Sequence, residues 1–307
     1  MLLDREITGL DREPEIMVLR SRGVPLDSEH ARIKMTASMS EALNFAPDCA
    51  VIASPTSEHA PQAAALAEHG AHLLIEKPMA LSAKEAREIT RVCRENKRSL
   101  LIAYNMAYLK PLRDLIRFVS SGGAGQVLSA RAEVGQYLPD WRPRIDYRRS
   151  VSASRALGGG VIMELSHEIE YADRLIGGGE VVFCAARRSG LLDIDAEDTA
   201  DIVMAGKAGA VASLHLDMLQ RKPSRICRVT GTEGTISFDM MSGEFGGSLS
   251  AESSLPGGQY ERGGDYAEQM RHFFACMRGE EEPLISGERG VHVMELIEAA
   301  RSVYYDK

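Results

Sequence analysis

The chain has 307 residues and a formal net charge of −8, with 44% hydrophobic and 26% charged residues, which is typical of a globular protein of roughly two domains and argues against a dedicated nucleic-acid surface. It contains no apolar run of about 18 residues and no signal-peptide pattern, which argues against a membrane protein or a secreted one. Its five cysteines are scattered and form no Cys-x-x-Cys motif, so we predict neither a metal site nor a disulfide framework and expect a cytoplasmic location.

The first 105 residues alternate between segments typical of strands and segments typical of helices. Short apolar runs predict strands at 16–19, 50–53, 73–76 and 100–103. Capping boxes that begin at Ser38 and Ser82 predict two helix starts, and Gly70 predicts the end of another helix that begins near Ser57. This repeated alternation predicts a parallel sheet covered by helices on both faces.

After Tyr104 the pattern changes to a series of strands joined by glycine-containing turns. A helix is predicted near Pro111, a surface loop over 243–264, and two closing helices near 266–277 and 289–304. Strands are predicted at 127–137, 181–186, 199–204, 210–218, 226–231 and 235–238. We therefore predict an α/β domain over residues 1–105, followed by an α+β domain over residues 106–307 with one large, mostly antiparallel open sheet.

Lys77 follows the apolar strand predicted at 73–76, and Pro78 comes directly after it. Proline cannot donate a ladder hydrogen bond, so the strand ends there and leaves Glu76 and Lys77 at its carboxyl end. In open α/β sheets the ligand crevice lies beside those ends. Two interpretations stay open: a reactive lysine in that crevice, or a surface lysine at the end of an ordinary strand.

A second chemical feature is the segment that leads from a triple-glycine turn at 158–160 into a predicted helix. At about 100° per residue, its apolar residues form one stripe, and Glu164, His167, Glu168 and Tyr171 lie on the opposite side. His167 is therefore predicted to lie away from the core. It belongs either to a solvated face or to a cleft, where it would act as an acid–base group oriented by Glu164.

Taken in chain order, these motifs resemble the glucose-fructose oxidoreductase, inositol dehydrogenase and rhizopine-catabolism (Gfo/Idh/MocA) family. The matching segments are Ala53-Ser54-Pro55-Thr56 with His59, Glu76-Lys77-Pro78, Tyr104-Asn105, Gly158-Gly159-Gly160 with Glu164 and His167, and Gly231-Thr232-Glu233-Gly234. They extend over nearly the whole chain. The resemblance implies a Rossmann-like dinucleotide-binding domain and a second domain whose sheet pairs subunits into a homodimer or homotetramer.

The resemblance also implies hydride transfer between NADP or NAD and a hydroxyl or ketone of a sugar. Lys77 would polarise the substrate oxygen, His167 would move the proton, and Glu164 would lie beside the substrate. Many relatives carry an aspartate where this chain has Met163, so the partner of His167 stays open. Cofactor contacts are expected at Ser54, Pro55, Thr56, His59, Glu76, Lys77, Pro78 and Asn105.

Two further groups of residues are candidates for ligand contacts. Arg20, Ser21 and Arg22 stand where relatives usually have an acidic residue for the ribose 2′-hydroxyl, so they would suit a 2′-phosphate and favour NADP; a solvated basic turn is the alternative. The second group is on the substrate side. Trp141, the only tryptophan, and Tyr147 would form an aromatic sugar-binding surface unless they only pack, and Arg221 would bind an anionic group.

The beginning of the sequence lacks the Gly-x-Gly-x-x-Gly turn expected of a dinucleotide-binding domain. Residues 1–10 resemble the tail of a first helix and lead into the strand that the family counts as its second. We hypothesise that on the order of 20 residues, including the first strand, are absent, which would weaken cofactor binding. Two non-enzymatic alternatives are a sensor that binds NAD(P) or a sugar, and an inactive remnant retained as an oligomerisation module.

Overall fold

The computed structural model describes residues 16–19, 33–250 and 264–305. Strands β1 (Ile16–Leu19) and β2 (Ile33–Thr36) form a parallel pair. Strands β3 (Cys49–Ile52), β4 (His72–Glu76) and β5 (Leu100–Ala103) form a parallel sheet in that order. The predicted α/β class is confirmed, and β2 is a strand that the sequence pattern did not reveal. The hypothesis that a strand is absent from the beginning is not tested by these residues and stays a hypothesis.

Helices α1 (Met39–Asn44), α2 (His59–Glu68) and α3 (Ala83–Glu95) alternate with these strands. Both predicted helix starts are present, because Ser38 Oγ accepts a hydrogen bond from Glu41 N at 3.3 Å and Ser82 Oγ accepts one from Glu85 N at 3.1 Å. The sequence therefore specifies these helix starts locally. The buried face of α3 is formed by Ala83, Ala86, Ile89, Val92 and Cys93.

The parallel register determines where the functional side chains lie. Ile52 pairs with Ile75, and Ile75 pairs with Ile102, so β3, β4 and β5 end at the same edge of their sheet. The three central residues of β4, Leu73, Leu74 and Ile75, are buried, its two end residues are partly buried, and the strand stops at Glu76. The turn after β3, the Glu76–Lys77 pair and the segment after β5 therefore share one edge, as expected for a ligand crevice.

The second half of the chain forms a seven-stranded sheet among the described residues. Its strands are β6 (Val127–Gly135), β7 (Gly179–Arg187), β8 (Thr199–Gly206), β9 (Val211–Asp217), β10 (Ser224–Gly231), β11 (Gly234–Asp239) and β12 (Glu244–Leu249). The order is β12-β11-β10-β6-β9-β8-β7, and every pair is antiparallel except β6 with β9. The predicted large, mostly antiparallel sheet is confirmed.

Strand β12 corrects the prediction of a surface loop over 243–264. Its Gly and Ser residues are typical of loops, so the sequence pattern did not predict a strand here. In the structure Phe245 stacks on Phe238, with ring centroids 4.8 Å apart, and this contact holds β12 against β11. Gly247 has a positive φ of 128°, and a Cβ there would lie 2.1 Å from Thr235 O. Glycine is therefore required for the close approach of the two strands rather than being a sign of a loop.

The remaining helices follow β5 in the chain. They are α4 (Lys110–Ser120), α5 (Leu138–Trp141), α6 (Val161–Glu164), α7 (His167–Leu175), α8 (Gly264–Met277) and α9 (Gly287–Tyr305). Helix α9 packs against both α3 and β7, and Ile102 N donates to Ile285 O at 2.9 Å. Residues 264–305 thus return to the first sheet, and the predicted boundary at 105/106 stays a prediction. None of the helices in the described ranges has the length and apolar character to cross a bilayer.

Candidate functional site

Lys77 lies at the crevice edge and is held by the segment that precedes His167. Its Nζ donates a hydrogen bond to Glu164 O at 2.6 Å and lies 3.7 Å from Glu164 Oε2. The Lys77 side chain is only 15% exposed. The peptide bond between Lys77 and Pro78 is cis. The lysine of the first half is therefore directly joined to the second half of the chain.

Glu164 is the partner of Lys77 rather than the group that orients His167. Its Oε1 accepts a hydrogen bond from Ser152 Oγ at 2.8 Å, while Oε2 faces the lysine. The helix breaks directly after it, because α6 ends at Glu164 and α7 begins at His167. The single continuous helix assumed from the sequence would have placed Glu164 and His167 one turn apart on one face, and the break removes that relation.

His167 is the first residue of α7 and is buried, with 9% of its surface exposed. Its ring meets the Tyr104 ring edge to face, with centroids 5.4 Å apart. Burial, and then the positive charges of Lys77 and Arg225, hold the pKa of His167 well below its usual range. Its Nδ1 is buried without a hydrogen-bond partner among the described residues. At neutral pH this imidazole is uncharged and can accept a proton.

The burial of His167 corrects the prediction that it lies away from the core and excludes a solvated face, while its place in a cleft stays a prediction. Helix α7 is buried on nearly every side, including Glu168, Glu170 and Tyr171. Arg225 on β10 donates to both carboxylate oxygens of Glu168, at 2.7 and 2.9 Å. The guanidinium of Arg289 on α9 makes an ion pair with Glu170. Because ion pairs from other elements neutralise its acidic side chains, the polar side of α7 is buried like the apolar side.

The turn after β3 is tied to the loop after Pro78 by His59. The His59 ring is 1% exposed, and its Nε2 and Nδ1 lie 3.0 Å from Ser54 O and 3.3 Å from Met79 O. Burial lowers the pKa of His59, so the neutral ring has one N–H to donate to one of these carbonyls at a time. His59 thus joins the turn after β3 to the loop after Pro78.

The glycine turn before α6 closes over the same region. Gly158 has a φ of +94°, and a Cβ at this position would lie 2.7 Å from Thr56 Cβ. Ser54 Oγ donates to Gln62 Oε1 at 2.9 Å. The turn that contains Thr56 therefore meets the second half of the chain at a glycine that leaves no room for a side chain.

The opposite side of the crevice is formed by the start of α8. Asn105 Nδ2 donates to Asp265 Oδ2 at 2.6 Å. Burial raises the pKa of Tyr266, and the carboxylates of Glu76 and Asp265 raise it further. Burial also raises the pKa of Glu76, against the lowering effect of Lys77. No sequence signal pointed to Asp265 and Tyr266, because they follow a Gly-rich stretch with no recognisable motif.

The predicted substrate residues divide into two groups. Trp141 and Tyr147 line a small pocket together with Ser152, which bonds to Glu164. Arg221 instead stacks on Tyr137, with its guanidinium carbon 3.6 Å from the ring centroid, and no contact within the described ranges joins it to Lys77 or His167. Arg20, Ser21 and Arg22 lie outside the described residues. No group of three or more His, Cys, Asp or Glu in the described part is arranged to hold a metal ion.

Comparison with known families places this crevice in context. Residues 18–104 match the model of an oxidoreductase family with an NAD-binding Rossmann fold, and residues 112–237 match the model of the GFO/IDH/MocA C-terminal domain. The chain belongs to the Gfo/Idh/MocA family. The two matches follow the same order as the two sheets, and they confirm the resemblance given by the motifs.

Relatives across this family act on different small molecules. The chain is 26% identical over 281 residues to 1,5-anhydro-D-fructose reductase of Ensifer adhaerens, with 88% of this chain and 81% of the relative covered. It is 27% identical over 279 residues to myo-inositol 2-dehydrogenase of Thermotoga maritima, with 85% and 78% covered. The chain spans about half the length, 40% and 54%, of two further curated relatives.

Solved structures show the same fold. The WlbA dehydrogenase from Bordetella pertussis, in complex with NADH and UDP-GlcNAcA, superposes with a TM-score of 0.74 at 23% identity, over 90% of this chain and 83% of that one. At this identity the likeness shows the fold alone. The roles of individual residues in the crevice stay predictions.

Proposed function

We propose that this chain is an NAD(P)-dependent oxidoreductase that transfers a hydride between a nicotinamide ring and a hydroxyl or ketone carbon of a sugar or sugar derivative. The observation that carries the proposal is the convergence of two groups from different halves of the chain. Lys77 Nζ is bonded to Glu164 O at 2.6 Å, three residues before the buried and uncharged His167. The relatives named above, a sugar-derivative reductase and an inositol dehydrogenase, support this substrate class.

The residues at the crevice edge fit a nicotinamide cofactor. The ends of β3, β4 and β5 meet there, and the absence of a Cβ at Gly158 lets the glycine turn close over Thr56. Ser54, Pro55, Thr56, Glu76, Lys77, Pro78 and Asn105 would hold the cofactor at this edge, and the buried His59 would position the two segments that it joins. When bound, such a cofactor gives or takes the hydride.

Lys77 and His167 would handle the substrate oxygen and its proton. In alcohol oxidation the uncharged imidazole of His167 takes the hydroxyl proton, and the ammonium group of Lys77 stabilises the negative charge that develops on oxygen. In ketone reduction the same proton returns from His167 to the oxygen. Glu164 keeps the Lys77 ammonium in place through its backbone carbonyl and its carboxylate.

The test is turnover of nicotinamide, followed by the absorbance of its reduced form, with a panel of sugars and sugar derivatives. Lys77→Met and His167→Asn should each abolish turnover while nucleotide binding, measured by calorimetry, persists. Nucleotide or sugar binding without any turnover would support a sensor instead. Absence of both would support a remnant retained for oligomerisation.

The cofactor preference is proposed to be NADP. It rests on Arg20, Ser21 and Arg22, two cations and a hydroxyl that suit a 2′-phosphate. Inhibition by adenosine 2′-monophosphate should exceed inhibition by adenosine 5′-monophosphate. Equal potency of the two nucleotides would remove the reason for this preference and leave NAD as the simpler choice.

The open face of the seven-stranded sheet is proposed to pair with a second copy of the chain. Phe183 and Val211 are apolar residues on this face and are 49% and 40% exposed. Beside them His215 makes a hydrogen bond with Asp201 at 2.8 Å, so the face combines apolar and charged groups, as interfaces between subunits do. Phe183→Glu should reduce the molar mass measured by light scattering to that of the monomer.

A further inference from the structure

A small pocket lies next to the Glu164–Lys77 pair, in the segment between β6 and α6. Its walls include Leu138, Trp141, Ile145, Tyr147, Ser150 and Ser152, and we name it the Trp141 pocket. Ser152 Oγ donates to Glu164 Oε1 at 2.8 Å, and Glu164 Oε2 lies 3.7 Å from Lys77 Nζ. The pocket is therefore separated from the proposed catalytic lysine by a single side chain.

The uncharged polar side chains of the pocket walls are engaged in hydrogen bonds to the protein itself, and Arg142, a charged residue of the same walls, is exposed. Trp141 Nε1 donates to Gln136 O at 3.0 Å, and Tyr147 Oη accepts from Asp193 N at 3.2 Å. Ser150 Oγ donates to Tyr147 O at 2.5 Å. The surface left to line the pocket is mostly carbon. Because a bound water needs two to four polar partners, this pocket favours an apolar occupant over water or a hydroxyl.

The size of the pocket limits what it can hold. Its cavity volume is about 10 Å³, close to the roughly 10–15 Å³ that one water-sized group requires. A methyl group is of this size, whereas a sugar ring is several times larger. Ile145, which is 53% exposed, stands at the rim and gives the pocket an apolar entrance.

We propose that the Trp141 pocket is a substrate subsite that receives one methyl group of the sugar, such as the methyl of an acetamido group or of a deoxy carbon. This inference rests on the proposed function, in which Lys77 polarises an oxygen of the same molecule. The subsite deepens that function by naming a substrate class: a sugar with a single methyl substituent. A sugar with only hydroxyl groups would leave the pocket unfilled.

Trp141 gives a direct readout, because it is the only tryptophan of the chain and its fluorescence reports on the pocket without hydride transfer. The protein would be titrated with two pairs of sugars that each differ by one methyl group. One pair is N-acetyl- and N-formyl-D-glucosamine, and the other is 6-deoxy-D-glucose and D-xylose. We expect the methyl-bearing member of one pair to bind roughly fourfold to tenfold more tightly. That pair identifies whether the methyl belongs to an acetamido group or to a deoxy carbon.

The variant Ile145→Asn places a polar group at the rim and should abolish the preference for the methyl-bearing sugar. The matched control is Val182→Asn, which replaces a residue outside the pocket of similar exposure, 55% against 53%. This variant should retain the preference for the methyl-bearing sugar. Equal affinities within both pairs, no saturable response to either methyl-bearing sugar, or a preference that survives Ile145→Asn would overturn the subsite. The proposed function fails separately, if these sugars bind and no nicotinamide is oxidised or reduced with any sugar.

Discussion

Removing the positive charge of Lys77 should raise the pKa of His167, and the size of the change measures how close the two groups are. For two groups about 6 Å apart, a unit charge contributes roughly 3 kcal/mol at an effective dielectric constant of about 20. Since the Lys77 side chain is 15% exposed, solvent screens part of this effect. We therefore expect Lys77→Met to raise the pKa of His167.

The rise should leave the pKa of His167 below its usual range, because burial, the largest cause, and the charge of Arg225 remain. The assay is the shift of the imidazole C–H resonance of His167 in two-dimensional NMR spectra, followed from neutral pH down to the onset of acid unfolding. The spectrum of His167→Gln assigns this resonance among those of the eight histidines. Lys84→Met, which removes an exposed lysine on α3, is the control.

An unchanged titration midpoint in Lys77→Met would refute the reasoning. It would mean that the ammonium and the imidazole do not share a cavity, so they could not act on the same carbon–oxygen bond. A rise of similar size in Lys84→Met would refute it as well, since it would show a general change of stability or net charge. Neither outcome depends on turnover, so this measurement tests the geometry of the site independently of the substrate.

Three further predictions concern stability. Two neighbouring aspartates raise the pKa of His215 to about 9, so the contribution of this histidine to stability is complete below about pH 6.5 and is lost as the pH rises through 9. His215→Gln should therefore lower Tm at pH 6 but not at pH 10. An equal loss of Tm at both pH values would contradict this. Arg225→Met leaves the buried carboxylate of Glu168 without its ion-pair partner and should lower the free energy of unfolding in urea by about 3–5 kcal/mol. Adding Glu168→Leu to this variant should restore most of that loss. Strictly additive losses from the two changes would exclude the coupling. Gly158→Ala should lower Tm more than Gly177→Ala, because both have positive φ but only Gly158 would bring its Cβ into contact with the turn after β3; equal effects would show that backbone strain alone is responsible.

The elements that the sequence predicted are those whose signals are local. Ser38 and Ser82 predict the starts of their helices because their hydrogen-bond partners, Glu41 and Glu85, are only three residues away in the chain. Strand β5 is visible as an apolar run because both faces of a parallel sheet are covered. Strand β12 was missed because the contact that forms it, Phe245 on Phe238, joins residues in different strands.

The same distinction applies to the candidate site. Lys77 stands out from its neighbours in the chain, since a proline ends the strand directly after it. The groups around Lys77 cannot be recognised in this way. Ser152 bonds to Glu164 from a separate segment, and Tyr266 approaches Glu76 from the start of α8. A single sequence shows which residues can react, and only the fold shows which charges and hydroxyls surround them.

Helix α7 shows why a pattern of polar residues can mislead about burial. Amphipathicity assigns a polar side to solvent because an unpaired buried charge is expensive. Here each acidic side chain meets a cation from a distant element, Arg225 for Glu168 and Arg289 for Glu170, so that cost is offset. His167 is buried for the same reason, since the ion pairs on the polar side of α7 allow this helix, with its uncharged imidazole, to lie in the interior. The ion pairs therefore belong to the site as positioning groups, although none of them touches the substrate oxygen in the proposed reaction.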